Sequence, residues 1–133
     1  MSKKRLFLLI NHRLLKKQTK ELEQHYGIGT EEILTPPQWI KEFWAAVAPE
    51  GDLPLEMLDK IINYLETSTQ EGDYLLIQGD YGCVYYLVSW AFKRNRQPIY
   101  ATTYRSAKED RVDGKVIVER IFEHCCFRAY QNY

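Results

Sequence analysis

The sequence predicts a three-layer α/β domain: a mostly parallel central sheet flanked by helices, followed by a C-terminal β-hairpin. The apolar runs at residues 6–10 and 74–78 are typical of parallel strands buried on both faces. Segments of helical composition separate the apolar runs, as they do in β-α-β units. Near the C-terminus, Asp113-Gly114 stands between two β-prone stretches, which is a strong hairpin signal.

The first half of the chain predicts two strands and two helices. After the strand at residues 6–10, residues 16–26 have helical composition, and Gly27 provides a C-terminal stop. A short strand is expected at residues 32–34. Pro37 suits the first position of a helix whose apolar side chains repeat at helical spacing through Val47.

The second half predicts the rest of the sheet and the hairpin. A loop at residues 48–54 precedes an amphipathic helix at residues 55–67. A strand at 74–78, a helix at 83–93 and a strand at 99–102 follow. Residues 105–112 and 115–127 are expected to form two antiparallel arms. We therefore divide one domain into an α/β core at residues 1–104 and a hairpin at residues 105–133.

The length, hydrophobic content and net charge of the chain exclude several classes of function. A chain of 133 residues with 45% hydrophobic content suits one domain with one core. A formal net charge of zero argues against unspecific binding of long nucleic acid, but it allows a small anionic ligand. The apolar run at residues 6–10 is too short for a signal core or a membrane span. No glycine-rich dinucleotide or P-loop motif occurs in the sequence.

The three cysteines favour a reducing cytoplasm, since their number is odd and they form no CxxC motif. Cys125 and Cys126 are adjacent, so on a strand they would point to opposite faces and could not chelate one zinc ion unaided. We therefore expect neither a metal site nor a cofactor.

Polar side chains follow three of the predicted strands, and ligands of open α/β sheets bind at the carboxyl ends of the strands. After the first strand, Asn11 could contact a phosphate oxygen and a sugar hydroxyl together. An imidazole can both donate and accept a proton, so His12 could move a proton. The alternatives are a capping asparagine and a solvent-facing histidine.

The second polar block is Gly79, Asp80, Tyr81 and Gly82. The two glycines would let the backbone approach a ligand and present N–H groups to phosphate. Asp80 is expected to cap the following helix, and it could also hold a ribose hydroxyl. Tyr81 lies between these residues and is included among the candidate ligand-binding residues.

The third polar block is Thr102, Thr103, Tyr104 and Arg105. Arg105 offers a fork of donors for phosphate, although a lone arginine at a strand end is usually a solvated residue. Tyr104 could stack on a base. The two threonine hydroxyls could contact phosphate or satisfy the turn.

Three further features are weaker candidates. His124 lies in the last predicted strand, where a histidine is more often a packed, hydrogen-bonded residue than a catalyst. Ser106 and Lys108 begin the hairpin and could reach over a ligand. The aromatic stripe of residues 39–44 is expected in the core or at an interface.

Several of these blocks together resemble one family. Its blocks are LFLLINH at residues 6–12, GDYLLIQGD at 72–80 and PIYATTYR at 98–105. With the Asp113-Gly114-Lys115 turn and the Phe127-Arg128 ending, they are similar to the CRISPR-associated ring nucleases, which are small accessory proteins of type III CRISPR systems. The resemblance runs nearly end to end and is weakest at residues 27–69.

The resemblance implies a CARF-like Rossmann fold and a homodimer that binds a cyclic oligoadenylate in its groove. Such proteins linearise cyclic tetra-adenylate without a metal, which silences the effectors that this messenger activates. A ribose 2′-OH attacks its own adjacent phosphodiester and leaves a 2′,3′-cyclic phosphate.

Residue roles under the resemblance are hypotheses. The N–H groups of residues 79–82 and Arg105 would hold phosphates, and Asn11 would contact the 2′-OH or the scissile phosphate. His12 would protonate the 5′-oxygen leaving group, with Asp80 orienting it or binding ribose. Two alternatives stay open: a module that sequesters the messenger uncut, and an interaction protein that docks a partner through residues 37–47.

Overall fold

The computed structural model describes residues 3–133; Met1 and Ser2, which belong to the basic start of the chain, lie outside the described residues. The elements are β1 (Leu6–Leu9), α1 (Lys16–Tyr26), a short 3-10 helix (Thr30–Glu32), β2 (Ile33–Leu34), α2 (Gln38–Ala45), α3 (Leu55–Ser68), β3 (Tyr74–Ile77), α4 (Tyr81–Lys93), β4 (Gln97–Val112) and β5 (Lys115–Ala129). Within residues 3–133, no helix has the length and apolar character needed to cross a bilayer.

The five strands form one sheet in the order β2-β1-β3-β4-β5. The first four are parallel, and β5 is antiparallel to β4. This arrangement confirms the predicted α/β class, with a mostly parallel, Rossmann-like sheet and a C-terminal hairpin.

Successive side chains of the central strands point to opposite faces of the sheet and pack in two apolar layers. Phe7, Leu9, Leu75 and Ile77 face the helices α2, α3 and α4. Their neighbours Leu6 and Leu76 face the opposite side, where α1 packs through Leu22. Because both faces of the sheet are covered, the sequences of β1 and β3 are continuous apolar runs and do not alternate between apolar and polar residues.

Most element boundaries fall within two residues of the predicted ones, as is usual for helix and strand ends. Pro37 is the N-cap of α2 rather than its first helical residue. α4 begins at Tyr81, two residues before the predicted start at Cys83.

The prediction that a strand ends near Thr102 is wrong. β4 continues without a break through Arg105 to Val112, paired along its length with β5. Residues 99–112 contain neither glycine nor proline, so nothing in them interrupts extended backbone. The hairpin itself is confirmed: Asp113 (φ 52°) and Gly114 (φ 76°) form its two-residue turn. Its arms project from the sheet, and residues 103–123 are all exposed.

Candidate functional site

The carboxyl ends of β1 and β3 meet at a topological switch point. The chain leaves β1 toward α1 on one face of the sheet and leaves β3 toward α4 on the other face. A crevice forms where the connections after two neighbouring strands run to opposite faces of the sheet. This crevice is the usual ligand position in open α/β sheets. Leu9 pairs with Ile77, so Asn11 and Gly79 follow the two strands at the same sheet edge.

A cavity of about 300 Å³ lies at the end of β1. Its polar lining consists of Asn11, His12, Arg13 and Lys41. Apolar side chains complete the lining: Leu8, Ile10, Pro36 and Ala45. Asn11, His12 and Arg13 are exposed to solvent here. The cavity therefore combines an amide, an imidazole and two cations, a set suited to a phosphate ester.

The His12 ring is oriented by the backbone. His12 Nδ1 lies 3.0 Å from the Arg13 carbonyl oxygen, which can only accept a hydrogen bond. Nδ1 is therefore assigned the proton, and Nε2 carries the lone pair of the neutral ring. In that state Nε2 can accept a proton, and in the charged state it can donate one.

The end of β3 is fixed by side chains from elsewhere. Trp44 Nε1 donates to the Gln78 carbonyl at 2.8 Å, and the Tyr130 hydroxyl donates to the Ile77 carbonyl at 2.7 Å. A Cβ at Gly79 would lie 2.8 Å from Trp44 Nε1. Packing against the indole thus requires glycine at position 79 whether or not a ligand is present.

Asp80 caps α4, as the sequence predicts. Its Oδ2 accepts the Cys83 N–H at 3.1 Å, while Tyr81 beside it is almost fully exposed. The carboxylate occupies the end of the helix where a phosphate would otherwise be favoured. Asp80 is therefore better placed to bind a ribose hydroxyl than to share a phosphate site.

The thiol of Cys83 lies beneath this cap and is fully buried. Burial, together with the hydrogen bond and charge of Asp80, raises the pKa of Cys83 to about 11. At neutral pH the group is a thiol, so it is not an activated nucleophile.

The third polar block is not a strand exit, because β4 continues through it. Thr102 is half-buried and donates through Oγ1 to the Cys126 carbonyl at 3.0 Å, whereas Thr103 is exposed. The Arg105 guanidinium lies 5.9 Å from the ring centroid of Phe122, on a face of the hairpin. Arg105 lines a different pocket, of about 290 Å³, so the structure separates it from Asn11 and His12.

A larger cleft, of about 670 Å³, lies between α1 and the base of the hairpin. His124 is buried in its wall, with Nε2 2.6 Å from Glu21 Oε1. Tyr104, which the sequence assigned to the third exit, lines this cleft together with Lys17 and Lys20. His124 is a packed, hydrogen-bonded residue, which was the preferred interpretation of it.

The ladder between β4 and β5 shifts register beside this cleft. Thr102 pairs with Cys126 and Thr103 pairs with His124, which leaves Cys125 as the extra residue of a bulge. Both Cys125 and Cys126 line the cleft, so the expectation of opposite faces does not hold here. A hydrogen bond with Tyr104 lowers the pKa of the exposed Cys125 thiol and raises the pKa of Tyr104.

Comparison with known proteins places these features in a family. A family model described as the "Uncharacterized protein MJ1673 family" matches residues 4–128. The chain belongs to this family. It is similar to the protein of that name from Methanocaldococcus jannaschii, with 37% identity over 129 residues that cover 97% of this chain and 98% of the relative. No solved structure gives a significant match.

The match to the MJ1673 family spans every candidate residue discussed above. Sequence reasoning missed two of the polar cavity residues, Arg13 and Lys41, and the cleft residue Glu21. Arg13 directly follows Asn11 and His12, so its place at the β1 exit was a usable signal. Lys41 and Glu21 lie in ordinary amphipathic helices, where nothing local marks them.

Proposed function

We propose that the protein is a metal-independent ring nuclease that binds and linearises cyclic tetra-adenylate. The observation that carries the proposal is the β1-exit cavity, where Asn11 and His12 share a wall with Arg13 and Lys41. Two of the sequence blocks that resemble CRISPR ring nucleases, at residues 6–12 and 72–80, end at this sheet edge. By the same resemblance, we propose that the protein acts in the cytoplasm as a homodimer and silences type III CRISPR effectors.

The chemistry asks the protein to hold and polarise the substrate rather than to attack it. The ribose 2′-oxygen forms a bond to its adjacent phosphorus, and the bond from phosphorus to the 5′-oxygen breaks. The 2′-hydroxyl proton passes to solvent water, and the 5′-oxygen gains a proton as the ring opens. Alignment of the 2′-OH and stabilisation of phosphorane charge are the available sources of rate.

The residues divide these tasks by position. Asn11 would align the 2′-OH or a phosphate oxygen, and the cations of Arg13 and Lys41 would stabilise the phosphorane. In its charged state His12 would protonate the 5′-oxygen through Nε2, since Nδ1–H is held by the Arg13 carbonyl. Asp80, at the β3 exit, would bind a ribose hydroxyl.

The test is incubation of the protein with labelled cyclic tetra-adenylate and a chelator, followed by chromatography. We expect a linear product ending in a 2′,3′-cyclic phosphate. His12→Ala should slow cleavage about 10²- to 10⁴-fold, the usual contribution of general acid–base catalysis. His25→Ala is the matched control, because His25 is an exposed histidine on α1 that lines the other cleft. Persistence of the intact ring at protein excess would exclude the nuclease.

A non-cleaving binding module is the second candidate, and one observation favours it. His12 bonds to the Arg13 carbonyl and Asp80 bonds to the Cys83 N–H, so the pair expected to cooperate has separate partners. Capture needs the same donors but no proton transfer. Calorimetric binding followed by recovery of the intact ring would support sequestration.

A further inference from the structure

The exposed part of the hairpin is a two-stranded ribbon with two open edges. β3 ends at Ile77, whose level on β4 is about Tyr100, so β4 has no neighbour on that side farther out. β5 is the last strand of the sheet. A two-stranded ribbon is at best marginally stable in water, and a third strand or a packed face is what stabilises it.

The two edges differ in chemistry. Along β4, residues 108–111 are all charged, which protects an edge from pairing with another strand. Along β5, Val116, Ile117 and Val118 are consecutive and 53%, 51% and 56% exposed. Such a β-branched run is typical of a strand whose two faces are both covered, whereas here both faces are exposed. The β5 edge therefore lacks the protection that the β4 edge has.

The β5 edge is complementary to itself. The segment Lys115-Val-Ile-Val-Glu119 can be laid antiparallel against a second copy with a two-fold axis at Ile117. Each Lys115 is then opposite Glu119 of the other copy, each Val116 is opposite Val118, and the two Ile117 side chains meet. Directly opposite residues share a face and interact, so both charge pairs and all apolar pairs are favourable.

We propose that a second copy of this chain pairs with the β5 edge in this register. The result is a four-stranded antiparallel sheet with the two β5 strands at its centre and an isologous interface. The partner is identified by the self-complementary charge pattern of residues 115–119, with Lys115 at one end and Glu119 at the other. The inference does not depend on the ligand proposed above. A monomeric wild type would count against this interface and against the proposed homodimer alike, whereas a dimer that Ile117→Lys leaves intact would overturn this interface alone.

The two Ile117 side chains that meet at the two-fold axis give the first test. Within the hairpin, Ile117 is opposite Asp110, so Ile117→Lys adds a favourable cross-strand pair to the monomer. In the dimer, the same change places two lysines opposite each other at the two-fold axis. Sedimentation equilibrium should show a reversible dimer for the wild type and at least about tenfold weaker association for Ile117→Lys. Arg111→Glu, a charge reversal on the β4 edge, is the control and should leave association unchanged.

A charge swap tests the register. Lys115→Glu places a glutamate opposite Glu119 of the other copy. This repulsive pair occurs twice in the dimer, so the variant should associate more weakly. Adding Glu119→Lys to that variant should restore association, although Lys108 then faces a lysine within the hairpin. Rescue by Glu123→Lys instead of Glu119→Lys would overturn the register. A wild type that stays monomeric across the accessible concentrations would overturn the interface.

Discussion

The carboxylate of Glu21 ties helix α1 to the base of the hairpin. Oε1 lies 2.6 Å from His124 Nε2, and Oε2 accepts the Phe127 N–H at 2.7 Å. Gln18 fixes the tautomer, because its amide oxygen accepts the Leu15 N–H and its NH₂ group therefore faces His124 Nδ1. Nδ1 must accept, so the Nε2 proton is directed at Glu21. Both partners of Glu21 are donors.

Glu21→Gln is therefore predicted to destabilise the protein despite its similar shape. An amide offers only one acceptor, so its NH₂ group would face either the Phe127 N–H or His124 Nε2–H. We expect the free energy of unfolding to fall by about 1–3 kcal/mol, the usual cost of an unsatisfied buried group, as measured by urea denaturation. Glu23→Gln, at an exposed position of the same helix, should change stability by less than about 0.5 kcal/mol. Equal stability of Glu21→Gln and the wild type would contradict the assigned tautomer.

Gly79→Ala is predicted to disrupt the β3 exit. The added Cβ would lie 2.8 Å from Trp44 Nε1 and displace the indole from the Gln78 carbonyl. We expect a loss of about 1–3 kcal/mol from overpacking, with a change in tryptophan fluorescence. Gly82→Ala is the matched comparison, because Gly82 lies in helix α4 and its added Cβ would be too close to one atom, Leu53 Cδ1 at 2.9 Å, which is the end of a flexible side chain; Asp80 Oδ2, at 3.6 Å, is at an ordinary contact distance. It should cost clearly less than Gly79→Ala, since alanine also favours the helix.

The buried thiol of Cys83 should make the free energy of unfolding depend on pH in the alkaline range. Its pKa in the folded protein is about 11, above its ordinary value of 9.0. Between these values the unfolded chain has lost the proton that the folded protein retains, so stability falls as pH rises. The stability of the wild type minus that of Cys83→Ala should therefore decrease from pH 9 to 11. Tyr26 and Tyr130, whose pKa values burial also raises, are present in both proteins and cancel in the difference. A constant difference would contradict the assignment.

The sheet could be predicted because its strands carry their own signals. The apolar runs of β1 and β3 are buried on both faces, and the Asp113-Gly114 turn needs the positive φ angles that these residues tolerate. The predicted end of β4 near Thr102 is wrong because polar residues do not by themselves mark a strand exit. Threonine, tyrosine and arginine can equally continue an exposed ribbon, and no glycine or proline interrupts them.

Long-range partners could not be predicted in this way. Trp44 packs on Gly79 across 35 positions of sequence, and Glu21 meets His124 across 103. Each contact depends on where a helix crosses the sheet, which periodicity does not determine. For the same reason, the position of Lys41 in the cavity could not be predicted. A solvated lysine and a lysine that lines a cavity occupy the same kind of helical position.

The two cations that sequence reasoning missed give the sharpest test of the β1-exit cavity. Arg13 and Lys41 line it beside Asn11 and His12. If a phosphodiester binds there, Lys41→Ala removes a charge-assisted contact worth about 1.5–3 kcal/mol, so affinity for cyclic tetra-adenylate should fall at least about tenfold by calorimetry. Arg13→Ala should act similarly.

The salt dependence separates this effect from a structural one. Loss of a phosphate contact should flatten the dependence of affinity on salt concentration, whereas simple destabilisation should leave that slope unchanged. Lys60→Ala, on helix α3 and away from the cavity, is the matched control and should keep both affinity and slope. Were Lys41→Ala and Arg13→Ala both to bind the ring as the wild type does, the ligand would have to lie elsewhere. The larger cleft lined by Lys17, Lys20 and Tyr104 would then be the next place to test, because it offers cations and an aromatic ring between α1 and the hairpin.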